Sequence, residues 1–211
     1  KNSVWGRGND FVPMKYRQHG LMWWRSQLMA FILRPLPGTV KAIAEAKAAL
    51  NIEQHRPYIG MHVRRGAKWR EAPFVPLEDY VEAARAHAQR AAAQGKAVPT
   101  TILLATDAAD VVEELREQYG DEFTWLYRAE TYRHTEANVT WMTEIQRRWK
   151  AASTDAVDVV RDVWLLADAD YVVCTYSSNI GRAVAELRYA RSNMPPGDDV
   201  TSLDKQWLVD P

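Results

Sequence analysis

An α/β fold, a parallel sheet covered by helices on both faces, is what three observations in this sequence predict. Short apolar runs alternate with segments of helical period through most of the chain. Gly and Pro punctuate many of the changes of period. Polar and charged residues follow three of the four apolar runs, and a parallel sheet gathers its ligands beyond the carboxyl ends of its strands.

Residues 1–16 lack a clear period and read as a lead-in loop. Over 19–34, Leu21, Trp24, Leu28, Phe31 and Ile32 recur at helical spacing, and Pro35, Pro37 and Gly38 end that helix. Residues 39–50 form a second, Ala-rich helix. The apolar run 58–63 is the first strand. Pro76 opens a helix to 93, because a first-turn N–H has no intrahelical partner and its absence costs nothing there. Gly95 stops it. The second strand is 101–106, followed by a helix over 108–119 with Gly120 at its end, and the third strand is 123–127. Residues 128–152 are polar and aromatic with a weak period, and read as a long loop with at most a helical turn. Ser153 or Thr154 caps a helix to 167, with Asp155 and Asp158 near its positive end. The fourth strand is 171–175. The last helix is 179–190, stopped by Pro195, Pro196 and Gly197. Four strands alternating with helices imply right-handed crossovers and hence a Rossmann-like sheet. The expected division is a helical lead-in segment over 1–52, packed on a sheet domain over 53–211.

The chain has 211 residues, 47% of them hydrophobic, which is enough for a globular core and excludes general disorder. Lys and Arg number 27 and so do Asp and Glu. That neutral balance gives no support for nucleic-acid or general anionic-membrane binding, so any positive field is local. Cys174 is the one cysteine, so no internal disulfide forms, which leans towards a reducing compartment. No apolar run is long enough to span a bilayer. The chain opens on Lys1 rather than Met and reads as a piece of a longer protein, with any targeting or membrane segment upstream. Nine tryptophans suit a sugar-handling protein and equally suit an aromatic core.

The chemistry gathers at the strand ends. The first strand ends in His62, Arg64 and Arg65, with Lys68, Arg70 and Glu71 in the loop beyond. Guanidinium groups are planar, always charged and bind diphosphates bidentately, and a carboxylate nearby can take a proton. The second strand ends in Thr106 and Asp107. The fourth ends in Thr175, with Ser177, Ser178 and Asn179 opening a helix whose free N–H groups at Ser178 and Asn179 would seat an anion. Taken alone, Ser177 to Asn179 is an ordinary helix cap, and Arg64 with Arg65 is equally a solvated basic loop. Together on one sheet edge they point to a phosphate site, as in a nucleotide or nucleotide-sugar protein.

The segments that carry this chemistry resemble the α1,6-fucosyltransferases, which place core fucose on N-glycans and whose relatives include a bacterial nodulation fucosyltransferase. His62-Val63-Arg64-Arg65 with Lys68, Glu71 and the stretch from Phe74 to Tyr80 resembles that family's first motif. Leu104-Ala105-Thr106-Asp107 resembles the second. The run from Asp162 through Tyr171 to Ser178, followed by Arg182, resembles the third. Trp23-Trp24 with Arg25, Gln27 and Pro35 resembles the helix before the first motif, and Ser202-Leu203-Asp204 also fits.

The resemblance implies the nucleotide-binding half of a GT-B-like glycosyltransferase. It would transfer L-fucose from GDP-β-L-fucose with inversion, without a metal or other cofactor, in an α1,6-type linkage to a glycan hydroxyl. Carried over residue by residue, Arg64 would hold the donor β-phosphate with Ser178 beside it. His62 and Asp162 would meet the guanine. Glu71 would be the general base on the acceptor hydroxyl, with Lys68 close by. Tyr80 and Asp107 match functional positions of the donor site, Tyr80 being equally a core tyrosine. Arg65, Thr106 and Arg182 match motif positions that bind the donor or shape its site. The acceptor would be an N-glycan or chitooligosaccharide-like glycan, and the location the Golgi lumen if an upstream anchor exists.

Three positions depart from the family pattern. Gly66-Ala67 stands where Thr-Asp is usual, Ala108 replaces a second Asp, and the loop before Glu71 is about one residue shorter. The lost carboxylate bears on the acceptor. It motivates a second reading, a non-catalytic or truncated relative that keeps the GDP site as a nucleotide- or glycan-binding module. A third is the same fold using another sugar nucleotide.

Other signals read as structural. Asp168-Ala169-Asp170 is a D-x-D triplet of the kind that binds metal elsewhere, but at a helix-to-strand junction it reads as capping and surface. His19, His55, His87 and His134 lack ligand spacing and read mostly as surface. Cys174 in an apolar strand reads as packing. Asn138-Val139-Thr140 fits the glycosylation pattern and matters only in a lumenal chain.

Overall fold

The structure is a computed structural model and describes residues 11–65, 73–129, 156–193, 197 and 199–205. A 3₁₀ segment, Met14–His19, leads into α1 (Gly20–Ile32) and α2 (Pro37–Ala49). Then follow β1 (Tyr58–Val63), α3 (Leu77–Ala93), β2 (Thr101–Thr106), α4 (Ala109–Tyr119) and β3 (Thr124–Leu126). A helix over 156–167 (α5), β4 (Tyr171–Cys174), α6 (Asn179–Ser192) and β5 (Val200–Ser202) complete the described chain. The strands are parallel throughout and lie in the order β3-β2-β1-β4-β5. Among the described residues no helix is long and apolar enough to cross a membrane.

Every residue of β1 and β2 is buried, which is why both read as unbroken runs rather than as alternating ones. Within β1 the two faces still differ. Tyr58 joins the core under α2, α5 and α6, whereas Ile59, Met61 and Val63 pack with α3 and α4. Gly60 lies where a Cβ would meet Leu166 and Ala169 side chains at 3.1 Å, so the α5–β4 junction presses directly on the central strand. The lead-in helices are tied to the far side of the same core. Arg25 Nε donates to the buried Glu186 Oε1 at 2.8 Å, joining α1 to α6, and Trp164 Nε1 donates to the Leu33 carbonyl at 3.1 Å.

The expected α/β, Rossmann-like sheet is therefore present, with differences at its margins. β5 was not expected. It is three residues long, sits at the sheet edge and follows a Pro-Pro-Gly stop, so no periodic signal marks it. Pro37 and Gly38, expected to stop α1, open α2 instead, with Pro37 in the first helical turn. Pro76 is the N-cap of α3 rather than its first residue. Gly95 stops α3 as expected, with φ at 66° in the left-handed region that favours glycine. His87 is not a surface residue: it is fully buried on α3, its Nε2 lies 3.0 Å from Thr201 Oγ1, and its ring packs against Tyr171. The proposed caps at Ser153 and Thr154, His134 and the Asn138 glycosylation pattern lie outside the described residues.

Candidate functional site

β1 is where the strand order reverses. The chain leaves it through α3 to β2 on one side, and β4 returns on the other. In open α/β sheets that reversal opens a crevice at the carboxyl edge, since the two outgoing connections depart to opposite faces. Met61 pairs with Val173, so three residues further along each chain Arg64 and Tyr176 leave the sheet side by side. Among the described residues, the two sides, or walls, of this edge are thus Arg64 and Arg65 at the end of β1 and the β4–α6 turn.

On the first wall, Asp107 organises the arginine pair. It follows β2, whose Thr106 pairs with Val63, and accepts both from the Arg64 guanidinium and from the Arg65 backbone N–H at 3.0 Å. One end of the Arg64 side chain is thereby anchored while the group stays 35% exposed. Arg65 turns the other way. Its guanidinium pairs with Asp110 at 3.2 Å and Glu114 at 2.7 Å on α4, and lies over the Phe74 ring. Alternation along the strand separates the two arginines, so only Arg64 is presented with the face that carries Gly60 and His62.

His62 is the most unusual group in this region. It is buried, and among the described residues its Nδ1 has no hydrogen-bond partner. Burial, with Arg64 contributing, pushes its pKa down to about 4 against the pull of Asp107, so the ring is neutral at physiological pH. A buried polar atom without a partner marks a place where a ligand group can complete it.

The second wall differs in detail from expectation. Ser178 is the N-cap of α6 but makes no side-chain capping bond. Its N–H is not a free anion donor, because it closes a turn on the Thr175 carbonyl at 3.2 Å. The neighbouring amides of Tyr176 and Ser177 are taken by Asp204, at 2.8 and 3.1 Å. The first turn of α6 remains the electropositive feature here, by the geometry of any helix start. Gly181 lets it approach the sheet: a Cβ at that position would stand 2.3 Å from the Thr175 carbonyl oxygen.

Asp162 lies on α5 and is ion-paired. Arg128, two residues beyond β3, donates to Asp162 Oδ1 and Asp158 Oδ1 at 3.0 Å each. Arg128 opens the segment whose sequence suggests a loop, yet its side chain is only 3% exposed. The sequence carried no periodic signal for this clamp, because its two aspartates lie more than 25 residues further on. Tyr80 is fully buried in the first turn of α3. Its hydroxyl bonds Thr175, and burial raises its pKa, so it braces the end of β4 from within the core. Lys68 and Glu71 lie outside the described residues, as do Gly66 and Ala67. Arg182 donates to the Tyr176 carbonyl at 2.8 Å and so stiffens the turn.

The D-x-D triplet sits at the opposite, amino edge of the sheet. Asp168 accepts from Lys47, Arg56 and Arg191, and Asp170 accepts the Tyr58 N–H at 2.9 Å. Cys174 is wholly buried, and burial raises its thiol to about 12, which makes it a packing residue.

Comparison with known proteins adds the following. A family model described as alpha-(1,6)-fucosyltransferase N- and catalytic domains matches residues 12–206. An alpha-(1,6)-fucosyltransferase of Drosophila melanogaster is 30% identical over 181 residues, covering 84% of this chain and 27% of that protein. One of Caenorhabditis elegans is 28% identical, covering 83% of this chain and 30% of that protein. The chain therefore spans less than a third of the length of these relatives. Among solved structures, POFUT1 in complex with GDP-fucose overlaps 75% of this chain and 44% of its own at 12% identity, with a TM-score of 0.45.

Proposed function

Because the chain belongs to the alpha-(1,6)-fucosyltransferase family, we propose that its crevice is the GDP-fucose site of an inverting fucosyltransferase acting on a glycan. The observation that carries this reading is the pairing, on one face of the switch-point strand, of an anchored Arg64 with a buried His62 whose Nδ1 lacks a partner among the described residues. A nucleoside diphosphate needs both kinds of group, a fixed cation for phosphate and a neutral polar group in a dry pocket for the base.

In the proposed arrangement the guanine meets His62 and the Asp162 carboxylate, which Arg128 orients. The β-phosphate meets Arg64 and Ser178. Asp107 holds Arg64 in place, while Tyr80 and Arg65 support the walls from the core side. Glu71 takes the proton of the acceptor hydroxyl as its oxygen bonds to the fucose anomeric carbon. The bond from that carbon to the diphosphate breaks on the opposite face, with inversion. Lys68 lies beside the acceptor. Charge on the departing GDP grows during the step, so Arg64 acts chiefly in the transition state. This reading uses no metal: Arg64 supplies the positive charge, and the D-x-D carboxylates are engaged by three cations at the far edge. The whole protein is proposed to be the nucleotide half and its complement in a GT-B-like enzyme, making an α1,6 linkage to an N-glycan or chitooligosaccharide in the Golgi lumen.

The test uses the full-length protein. GDP should raise its thermal midpoint more than UDP or ADP, and no shift with GDP would sink the reading. Arg64→Ala should lower turnover by about 10²–10³-fold, the usual loss when one preorganised charge stabiliser is removed. Turnover should persist in EDTA. The Gly66-Ala67 departure favours a second reading, a non-catalytic relative that binds the nucleotide without transfer. Transfer of labelled fucose to any N-glycan or chitooligosaccharide rejects it.

A further inference from the structure

The β4–α6 turn is held by a carboxylate that arrives from the end of the described chain. Leu203 N–H donates to the Cys174 carbonyl at 3.0 Å, which fastens the end of β5 beside the end of β4. Asp204 follows directly. Its Oδ1 accepts the Tyr176 N–H at 2.8 Å and the Ser202 hydroxyl at 3.1 Å, and its Oδ2 accepts the Ser177 N–H at 3.1 Å. The Tyr176 N–H is shared with Ser202 Oγ at 3.0 Å. Successive backbone N–H groups pointing one way form a concavity suited to an anion. Here an internal anion fills it.

We propose that Asp204 is a positioning residue for the donor phosphate: by occupying the Tyr176 and Ser177 amides it fixes the turn that presents Ser178 and the first turn of α6 to the crevice. The proposal rests on the crevice being the donor-nucleotide site. Asp204 itself has no place on the phosphate, because two anions would repel. Its effect passes through the turn. Burial opposes ionisation of this carboxylate, but the Ser177 and Tyr176 hydrogen bonds outweigh it and hold its pKa below the ordinary range. The Ser178 carbonyl accepts the Arg182 N–H at 3.2 Å, but its side chain makes no capping bond, so the α6 cap does not fix the hydroxyl. The backbone on the N-terminal side of Ser178 is held by Asp204 and Ser202 on the Tyr176 N–H and by Arg182 on the Tyr176 carbonyl.

The experiment compares wild type, Asp204→Ala, Asp204→Asn and Ser202→Ala in the full-length protein. Calorimetric affinity for GDP, the ligand-free thermal midpoint, and kcat and KM for GDP-fucose are measured. Asp204→Ala should weaken GDP binding about tenfold and raise KM in proportion, the loss expected for charge-assisted hydrogen bonds that order a site. Asp204→Asn keeps one acceptor oxygen and should recover part of that affinity. Ser202→Ala should fall between Asn and wild type. If Asp204→Ala fails to fold, the Asn and Ser202 variants decide. A folded Asp204→Ala whose midpoint falls while its GDP affinity stays within about twofold of wild type overturns the proposal, since it shows a structural role only. Tighter GDP binding by Asp204→Ala or Asp204→Asn also overturns it, since the carboxylate would then be only a repulsive neighbour. A wild-type protein that binds no GDP overturns the nucleotide reading first and this proposal with it.

Discussion

Arg64 and Arg65 are adjacent in the chain and divided by the pleat of β1. One guanidinium stands at the crevice, held by Asp107, and the other is spent on α4 through Asp110 and Glu114. Arg65→Met should therefore lower the thermal midpoint more than Arg64→Met does, and Arg64→Met should weaken GDP binding more; the reverse order would refute the assignment. His62 makes a second prediction. Its folded pKa of about 4 lies below the ordinary 6.5. The unfolded chain then binds more protons between those values, so stability falls as pH drops through the window and the loss is complete near pH 4. At about 1.4 kcal/mol per pH unit the full loss is on the order of 3–4 kcal/mol. Urea unfolding of His62→Gln between pH 7 and 4.5 should show a flatter dependence than wild type; equal slopes would mean that His62 is not the titrating group. That both arginines and His62 stand at a strand end was legible, because strand, break and polar cluster are consecutive. Which way each side chain turns was not, since that depends on partners some 40 to 50 residues away, and neither was the orphan on His62, which follows from burial by the fold rather than from its neighbours in sequence.

At the level of elements, α6 approaches β4 so closely at Gly181 that a Cβ there would stand 2.3 Å from the Thr175 carbonyl oxygen. Gly181→Ala would drive a methyl group into the Thr175 carbonyl, and α6 must move to relieve it. Overpacking of this kind costs about 3 kcal/mol and here also shifts the helix start off the crevice. Chemical unfolding and GDP affinity should both report it. A variant with wild-type stability and affinity would show that the helix has room to spare. The central strands were legible to the residue, because double-sided burial leaves an apolar run that Gly and polar residues end sharply. β5 was not, because three half-buried residues at an edge carry no period, although they bring Asp204 to the site. The opening of α2 was misplaced for a chemical reason: Pro and Gly serve as well to begin a helix as to end the one before.

For the molecule as a whole, the lead-in helices are braced through a buried ion. Glu186 is fully buried and Arg25 is partly in water, so Arg25→Ala leaves a carboxylate in the core. It should cost about 2 kcal/mol, below the value for a fully buried pair because the arginine is partly solvated. Replacing both residues by methionine should recover much of that loss in urea unfolding, and a double variant no better than the single one would contradict the electrostatic cause. The switch-point arrangement has a further consequence, in the order of assembly. β1 finds β2 across 43 residues of chain, Tyr58 to Thr101, but finds β4 across 112, Ile59 to Tyr171. Closing the longer loop costs more entropy and long-range pairing is slow, so the β1–β2 half can form while the second wall is still absent. The crevice is then among the last features to appear on refolding. A nucleotide that binds it cannot guide the early chain; it can only lock the finished one, slowing unfolding without hastening folding.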